Sequence, residues 1–375
     1  MTNLQGQFLT PAGFVRGQLA IGADGRIAAL DGVAQTEDQA RESGLPLYLP
    51  GFIDTHVHGG GGADTMEGGA AVRQLARTHA RHGTTALLAT TMTAPLDEIR
   101  SALAALAPAC AQRGAGEARV LGVHLEGPYI NPGRLGAQPD YAKALALDEL
   151  QALHALAPIR LITLAPELPG HLELIPQLVE AGMRVQIGHS SGRYEDGVAA
   201  LQAGAQGFTH LFNAMTGLHH REPGMVGAAL AHAQHAELIP DLIHVHPGAI
   251  RAALRAIPGL FCVTDSTAAA GMPDGEYRLG RHLVTKCLGG VRLPDGTLAG
   301  STLTLDQALR NLVEALGLSL AEASSRCSTQ AARYLGLADR GALQSGHWAD
   351  LVELDADLQL QATYVEGERI ERDAG

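Results

Sequence analysis

Short apolar segments recur through the middle of the chain, and each is followed by polar, glycine or histidine residues and then mostly by an Ala/Leu-rich stretch. The apolar segments are typical of buried parallel strands, and the Ala/Leu-rich stretches are typical of helices. Eight strands are predicted to begin near Gly51, Thr84, Arg119, Ile159, Arg184, Gly207, Leu238 and Leu260. Eight strands alternating with helices predict an α/β fold with a (β/α)8 TIM-type barrel, which is typically about 250 residues long. An open doubly wound sheet is disfavoured, because no G-x-G-x-x-G sequence follows the first strand.

Both ends of the chain are patterned as short β-strands. Near the start, alternating residues at 14–21 and 26–30 flank an Asp-Gly pair, which is a strong hairpin signal. Near the end, residues 351–354 and 361–365 have the same texture. We therefore predict that segments 1–50 and 330–375 form one small β-sandwich domain, and that residues 51–329 form the catalytic barrel.

The charge balance argues against a nucleic-acid or membrane-surface partner. The 375 residues carry a net charge of −12, and the chain contains no basic stripe. Binding to polyanions depends on clustered Lys and Arg, so an anionic ligand must be held by a local site.

Cysteine spacing and hydropathy predict a cytoplasmic protein. The four cysteines are widely separated and form no C-x-x-C pair, so neither a disulfide framework nor a cysteine zinc site is expected: Cys110, Cys262, Cys287 and Cys327. No apolar stretch reaches the roughly 20 residues of a membrane span, and no basic segment followed by an apolar one begins the sequence.

Histidines and carboxylates stand at the predicted carboxyl ends of the barrel strands, where barrel enzymes have their active sites. Residues two apart in a strand share a face, so the two histidines of the first strand can bind one metal, and the four glycines after them allow a ligand to approach closely. Six residues form this candidate set: His56, His58, Glu126, His189, His210 and Asp265. His124 is expected to be a core residue.

A set of imidazoles and carboxylates suits Zn²⁺ or Fe²⁺. Such a metal lowers the pKa of its water to roughly 7 and so supplies a hydroxide that can attack an amide or ester carbonyl. Asp265 fits the general base, which would then act as the acid that returns the proton to the leaving group.

Several longer motifs make the pattern more specific. They are PGFIDTHVHG at 50–59, HLEGP at 124–128, GHS at 188–190, THLFNAM at 209–215, REPG at 221–224 and VTD at 263–265. With these motifs in order over nearly the whole chain, the sequence resembles the amidohydrolase superfamily and, within it, the family of N-acetylglucosamine-6-phosphate deacetylases. The resemblance implies hydrolysis of N-acetyl-D-glucosamine 6-phosphate to D-glucosamine 6-phosphate and acetate.

The resemblance also implies a role for each site residue. The primary metal site would be formed by Glu126, His189 and His210. The intact pair His56 and His58 makes a second site possible, and Asp265 would be the catalytic acid/base.

The substrate would be held by four further residues: Asn213, Ala214, Arg221 and His244. Arg221 and His244 would bind the sugar phosphate. The resemblance also favours a homodimer, in which they could reach the phosphate across the interface between the two subunits. An arginine beside two histidines at 219–220 suits a phosphate on chemical grounds as well, because a guanidinium matches phosphate geometry.

The scarcity of lysine bears on the resemblance to amidohydrolases. Many of these bridge two metals with a carbamylated lysine after the fourth strand, but the chain has only Lys143 and Lys286, and neither ends a predicted barrel strand. The resemblance instead implies that Glu126 takes that place.

Two positions depart from the family pattern. Gln138 stands where many members carry a histidine that polarises the acetyl carbonyl, and an amide can donate a hydrogen bond but carries no charge. A second metal could take over that polarisation, which would make Gln138 and the intact H-x-H pair mutually consistent. Leu242 stands where glycine is common, close to the predicted phosphate-binding His244.

Other functions stay open at this stage. The substrate could be N-acetylgalactosamine 6-phosphate or another N-acyl amine. A non-catalytic barrel that serves as an oligomeric scaffold is disfavoured, because all six candidate ligands are intact.

Overall fold

The computed structural model describes residues 2–372, so residue 1 and residues 373–375 of the predicted β domain lie outside it. The chain begins with strands β1 (Thr2–Thr10), β2 (Gly13–Ile21) and β3 (Ile27–Gln35), helix α1 (Glu37–Glu42) and strand β4 (Leu47–Pro50). Strands β2 and β3 form the antiparallel hairpin that the Asp-Gly turn predicted. Helix α1 begins at a capping box, in which Thr36 Oγ1 accepts from the Gln39 N–H.

The barrel strands follow, together with a two-residue pair, β6 and β7, that comes after the first of them. They are β5 (Phe52–Val57), β6 (Gly59–Gly60), β7 (Ala63–Asp64), β8 (Thr84–Thr90), β9 (Arg119–Glu126), β10 (Ile159–Leu164), β11 (Arg184–Ile187), β12 (Gly207–Phe208), β13 (His235–Leu238) and β14 (Gly259–Cys262). Every residue of β5 and β8 is buried, because helices cover the barrel outside and side chains fill it inside. This explains why the strands appear as continuous apolar segments in the sequence.

Helices connect the barrel strands as the (β/α)8 pattern requires. They are α2 (Gly69–Ala80), α3 (Leu96–Ala111), α4 (Leu147–His154), α5 (His171–Glu180), α6 (Tyr194–Ala203), α7 (Gly224–His232) and α8 (Pro247–Ala256). Single helical turns also occur at Thr65–Glu67 and Pro132–Arg134. Among the described residues, no helix is both long enough and apolar enough to cross a membrane.

The barrel is closed by hydrogen bonds just beyond its shortest strands. Six parallel strands pair in the order β12-β11-β10-β9-β8-β5, and β13 pairs with β14. The Leu211 N–H donates to the Glu237 carbonyl at 2.9 Å, which joins the end of β12 to β13, and the Asp265 N–H donates to the His56 carbonyl at 2.9 Å. The predicted barrel is therefore confirmed, and one of its closing bonds joins two residues of the predicted chemistry, Asp265 and His56.

The position of the seventh strand was predicted wrongly. The strand was expected to begin near Leu238, but β13 spans His235–Leu238 and ends there. Pro240 follows two residues later and has no N–H to continue a ladder, although the apolar pattern runs on past it. The charged Glu237 interrupts the apolar pattern of β13, so the pattern does not identify this strand.

A small three-stranded sheet, which the sequence did not predict, is inserted after the barrel strands. It consists of β15 (Gly275–Leu279), β16 (His282–Cys287) and β17 (Gly290–Arg292). Its apolar residues Leu279, Val284 and Val291 pack with Met92, which follows β8, so the insert sits against the carboxyl end of the barrel.

The chain ends with helices and then returns to the N-terminal sheet. The elements are α9 (Leu305–Arg310), a π-helical turn (Asn311–Ala315), α10 (Leu320–Cys327), α11 (Thr329–Leu335), β18 (Leu351–Leu354), β19 (Leu360–Val365) and β20 (Glu368–Glu371). Helix α11 spans the predicted domain boundary at 330, and Ala331 and Tyr334 belong to the barrel core. The domain boundaries stay a prediction.

The two ends of the chain share one seven-stranded sheet, in the order β20-β19-β18-β4-β1-β2-β3. Strand β4 joins the two halves, parallel to β1 and antiparallel to β18. Phe8 stacks on Tyr48 with ring centroids 4.9 Å apart, and Ile27 of β3 and Tyr364 of β19 belong to the same buried cluster. Strands from opposite ends of the sheet thus enclose one core, as predicted for a small sandwich domain.

One glutamate ties this sheet to the barrel. Glu366, in the turn between β19 and β20, accepts from Arg119 Nε at 2.9 Å, Arg113 Nε at 3.2 Å and Arg340 Nη2 at 2.5 Å. Arg119 is the first residue of barrel strand β9, and Arg113 lies six residues before it. Burial would raise the pKa of Glu366, but Arg119 and Arg340 lower it to about 2.

We expect Glu366→Gln to destabilise the protein by about 2–4 kcal/mol, because Arg119 loses its carboxylate partner. Arg113 and Arg340 also lose this carboxylate, and each keeps one other acid, Glu368 and Asp350 respectively. The matched control is Glu371→Gln, since Glu371 is 76% exposed and pairs only with Arg369 in the described structure. Thermal melts should show a lower Tm for Glu366→Gln alone. The folded-state pKa is below the ordinary 4.5, so the Tm difference should be full above about pH 5 and shrink as the pH falls towards 2. Equal Tm values for the two variants would contradict this role.

Candidate active site

The structure brings all six predicted ligand residues together at the carboxyl end of the barrel. His56 lies in β5 and His58 follows it, Glu126 ends β9, and the other three come two or three residues after β11, β12 and β14. Each is at most 8% exposed. The sequence argument from strand ends therefore predicted their proximity correctly, while their individual roles stay predictions.

The first group consists of Glu126, His189 and His210. Glu126 Oε1 lies 3.1 Å from His189 Nε2 and 3.0 Å from His210 Nε2, and the two Nε2 atoms are 3.1 Å apart. Three possible ligand atoms thus face one point.

The second group consists of His56, His58 and Asp265. The two Nε2 atoms are 3.2 Å apart, and Asp265 Oδ1 lies 3.3 Å from each. Glu126 Oε2 is 3.1 Å from His58 Nε2, so Glu126 lies between the two groups and contacts both.

The donor atoms fit a divalent metal. Ligand atoms within each group lie within 4.8 Å of one another, and they are the nitrogen and oxygen donors that Zn²⁺ and Fe²⁺ accept. His189 Nδ1 lies 2.8 Å from the Arg134 carbonyl, which can only accept, so Nδ1 carries the proton and the Nε2 lone pair faces the group. Such a partner on the far side of the ring is typical of metal-binding histidines.

Three of the six residues have a strained backbone. His189, His210 and Asp265 have φ values of 47°, 29° and 49°, in the left-handed region that non-glycine residues seldom adopt. Such conformations cost of order 1–3 kcal/mol each and persist where the surrounding structure imposes them. The chain thus turns sharply at the ends of three strands and directs these side chains to one place.

The carboxylates of the site stay ionised despite their burial. Burial raises the pKa of Glu126, but the facing His56 and His189 hold that pKa well below its ordinary value. Burial lowers the pKa of His58, while Asp265 and Glu126 raise it to about 9. Anionic oxygens that are available near neutral pH are the form in which a carboxylate binds a metal.

A cavity of about 270 Å³ opens beside the two groups. Apart from the ligands, its lining includes four of the predicted substrate residues: Gln138, Asn213, Ala214 and His244. Leu279 and Leu298, from the inserted sheet and the loop after it, close one side.

Gln138 is held in a defined orientation. The Thr93 N–H donates to its Oε1 at 2.7 Å, which leaves Nε2 to donate to Glu126 Oε2 at 2.6 Å. The amide therefore presents its donor side to the ligand groups and the cavity.

His244 is prepared to carry a positive charge. Its Nδ1 donates to Asp241 Oδ2 at 2.6 Å, and although burial lowers its pKa, Asp241 raises the pKa above the ordinary value. Leu242 between them has φ 65°, a conformation that favours glycine, which gives a physical reason for the glycine common at this position. The Leu242 side chain packs against the main core rather than lining the cavity.

Arg221 is not brought into the cavity of its own chain. It is exposed, its Nη1 contacts His220 Nε2 at 2.8 Å, and it lines a separate surface cavity of about 620 Å³ together with Arg134 and Arg193. Of the predicted site residues in the described structure, it alone lies outside both the ligand groups and the cavity.

Two buried acids of the site were missed in the sequence. Glu237 contacts Thr55, His56 and His210, and burial raises its pKa, but His56 lowers the pKa below the ordinary value. Asp54 accepts from Thr264 Oγ1 at 2.7 Å, and burial raises its pKa to about 7. A charged residue inside an apolar strand was the available signal in both cases.

His124 lies in the core, as expected. Its Nε2 is 2.7 Å from Thr163 Oγ1. Burial, together with the nearby His56, lowers its pKa to about 3, so the ring is neutral.

Comparisons with known proteins identify the family of the chain. Residues 47–370 match the amidohydrolase family. The chain is 43% identical to an N-acetylgalactosamine-6-phosphate deacetylase from Escherichia coli O157:H7, over 92% of this chain and 93% of the relative. It is 41% identical to an N-acetylglucosamine-6-phosphate deacetylase from Lysinibacillus sphaericus, over 92% and 91% of the two chains.

A solved structure is similar over almost the whole molecule. It is a mutant N-acetyl-D-glucosamine-6-phosphate deacetylase from Mycobacterium smegmatis in complex with N-acetyl-D-glucosamine-6-phosphate, with a TM-score of 0.88, 34% identity and coverage of 97% of both chains. The resemblance drawn from the motifs is confirmed, and the chain belongs to the amidohydrolase family.

Proposed function

We propose that this chain hydrolyses N-acetyl-D-glucosamine 6-phosphate to D-glucosamine 6-phosphate and acetate. The observation that carries the proposal is the convergence of six buried imidazole and carboxylate groups beside a cavity lined by Gln138, Asn213 and His244. The 41% identical relative with that activity in its name supports it, and so does the similar structure that holds this compound.

The family implies a divalent metal, and two groups of residues would hold it. Glu126, His189 and His210 would form the primary site, and His56 and His58 with Asp265 a second, with Zn or Fe as the ion. When bound, the ion supplies Lewis-acid chemistry, which acidifies water and polarises a carbonyl.

Asp265 is the proton carrier of the reaction. Burial would raise its pKa, but His56 and His58 lower the pKa below the ordinary value, so the carboxylate is ready to accept a proton from the attacking water. It would then donate that proton to the amine nitrogen as the amide bond breaks, because an amine is a much better leaving group than its anion.

The remaining residues orient the substrate. Gln138 Nε2 donates to Glu126 Oε2 and would donate its second hydrogen to the acetyl carbonyl, and Asn213 and Ala214 line the wall of the cavity. His244 would place a positive charge at the phosphate, supported by Asp241.

A second candidate substrate is N-acetylgalactosamine 6-phosphate. It differs only in the configuration at one sugar carbon, and the 43% identical relative is named for it. The same metal groups, the same Asp265 and the same His244 would serve both substrates.

We further propose that the active unit is a homodimer in which Arg221 completes the phosphate site of the other protomer. Arg221 is exposed and lies outside its own cavity, and the neighbouring Leu218 is 61% exposed. The cytoplasmic location also stays a prediction of the sequence.

Asp265→Asn should lower kcat for acetate release by about 100- to 10,000-fold while substrate still binds, because the variant removes the proton acceptor and keeps the shape of the side chain. Acetate release and calorimetric binding measure the two effects. The exposed Asp357→Asn is the matched control and should keep full activity. Turnover above a tenth of the wild-type value in Asp265→Asn would exclude the proposed role.

The wild type should prefer phosphorylated over unphosphorylated N-acetylglucosamine by about 100-fold or more in kcat/KM, since charged hydrogen bonds contribute about 1.5–3 kcal/mol each. His244→Asn should reduce that preference and leave the unphosphorylated rate unchanged. Including N-acetylgalactosamine 6-phosphate decides between the two candidates: the faster sugar is the substrate. Equal rates with and without phosphate would contradict a phosphate site.

Arg221→Ala and Asp265→Asn should each be poorly active alone and should recover activity when the two chains are co-expressed. In a mixed dimer, the site with an intact Asp265 receives an intact Arg221 from the other chain. The readout is acetate release per mole of purified mixed dimer. Activity no higher than the mean of the two separate variants would show that Arg221 does not act across the interface.

A further inference from the structure

A buried glutamate with no role in the reaction above contacts both ligand groups. Glu237, the third residue of β13, is fully buried in the barrel. Thr55 Oγ1 donates to its Oε1 at 2.7 Å, while His56 Nδ1 and the His210 N–H donate to its Oε2 at 3.0 and 3.3 Å. A buried carboxylate is costly unless it is paired, so these three contacts account for its presence.

The contact with His56 fixes the state of that ring. A carboxylate only accepts, so His56 Nδ1 carries a proton, and Nε2 is the ring nitrogen left to bind a metal. His56 Nε2 lies 3.2 Å from His58 Nε2 and 3.3 Å from Asp265 Oδ1. Glu237 therefore orients the His56 ring so that Nε2 faces the second ligand group. Its negative charge makes that nitrogen a stronger metal ligand.

The contact with His210 anchors the backbone instead of the ring. Within residues 2–372, His210 Nδ1 has no hydrogen-bond partner, so no contact on the far side of the ring orients it. The residue has φ 29°, and its N–H donates to the Glu237 side chain while the Leu211 N–H donates to the Glu237 carbonyl. Glu237 thus stabilises the strained turn from which His210 enters the first group.

Two of the other ligands, His189 and Glu126, have separate supports. The His189 ring donates to the Arg134 carbonyl, and Glu126 accepts from Gln138. In the described structure, each of these two supports contacts a ligand of one group only. Glu237 contacts His56 of the second group and His210 of the first.

We propose that Glu237 is a positioning residue that couples the two halves of the metal centre, by fixing the His56 ring and the His210 backbone with one carboxylate. The inference rests on the proposed metal-dependent function and adds to it that the two ion sites share a support. Loss of the Glu237 charge weakens both sites, while loss of His58 weakens only the second.

The test uses Glu237→Gln, which keeps the volume of the side chain, removes the charge and replaces one of the two accepting oxygens with a donor. Chelator-stripped full-length protein is titrated with Zn²⁺ against a chromophoric chelator. The dissociation constants of both sites should rise about 10- to 100-fold, as is usual when a partner of a metal ligand is changed. His58→Gln should raise only one of the two.

Glu117→Gln is the matched control for the loss of a buried carboxylate. Glu117 is 1% exposed and pairs with Arg73 and Arg77 near the start of β9, at the opposite end of that strand from Glu126. It should lower the Tm and leave both Zn²⁺ affinities unchanged. Glu237→Asp, which keeps the charge on a shorter side chain, should bind Zn²⁺ with affinities between those of the wild type and Glu237→Gln, and it decides the matter if Glu237→Gln does not fold.

The outcomes separate this inference from the proposed function. If the wild type binds two Zn²⁺ ions and Glu237→Gln changes only one site, or neither by more than about twofold, the coupling is overturned and the deacetylase proposal stands. A wild type that binds a single ion overturns the coupling as well. A wild type that releases acetate without taking up Zn²⁺ or Fe²⁺ overturns both the metal-dependent mechanism and the role of Glu237.

Discussion

The mutual neutralisation of buried acids and imidazoles at one end of the barrel is the interaction on which the rest of the site depends. Glu126, Glu237 and Asp265 are each at most 8% exposed, and a carboxylate in such surroundings is stable only beside a positive or hydrogen-donating group. The histidines that meet this need come from different strands. The site can therefore form only when the barrel closes, and this links the metal chemistry to the fold.

The same constraint explains the strained residues. His189, His210 and Asp265 leave their strands in left-handed conformations, a cost that no isolated segment would bear. Closing bonds such as that from the Asp265 N–H to the His56 carbonyl hold these turns in place. The bonds that complete the barrel thus also orient the reactive groups, so the backbone strain and the side-chain chemistry have one origin.

Much of this arrangement was predictable from the sequence, because the eight strands have a local signature and residues at their carboxyl ends must meet in a barrel. His56, Glu126 and Asp265 were found by that reasoning. Glu237 was not, since a charged residue inside a four-residue strand breaks the apolar pattern that identifies strands. The inserted sheet was missed as well, because alternating residues such as those of β16 depend on contacts with Met92 that are distant in sequence.

The seven-stranded sheet can be completed only late in the synthesis of the protein. Strand β4 pairs with β1 on one side and with β18 on the other, and about 300 residues separate β4 from β18. At roughly 5–20 residues per second, the ribosome therefore needs some 15–60 seconds after β4 to synthesise β18. During that interval an apolar strand edge of the nascent chain is unpaired, which is a typical starting point for aggregation.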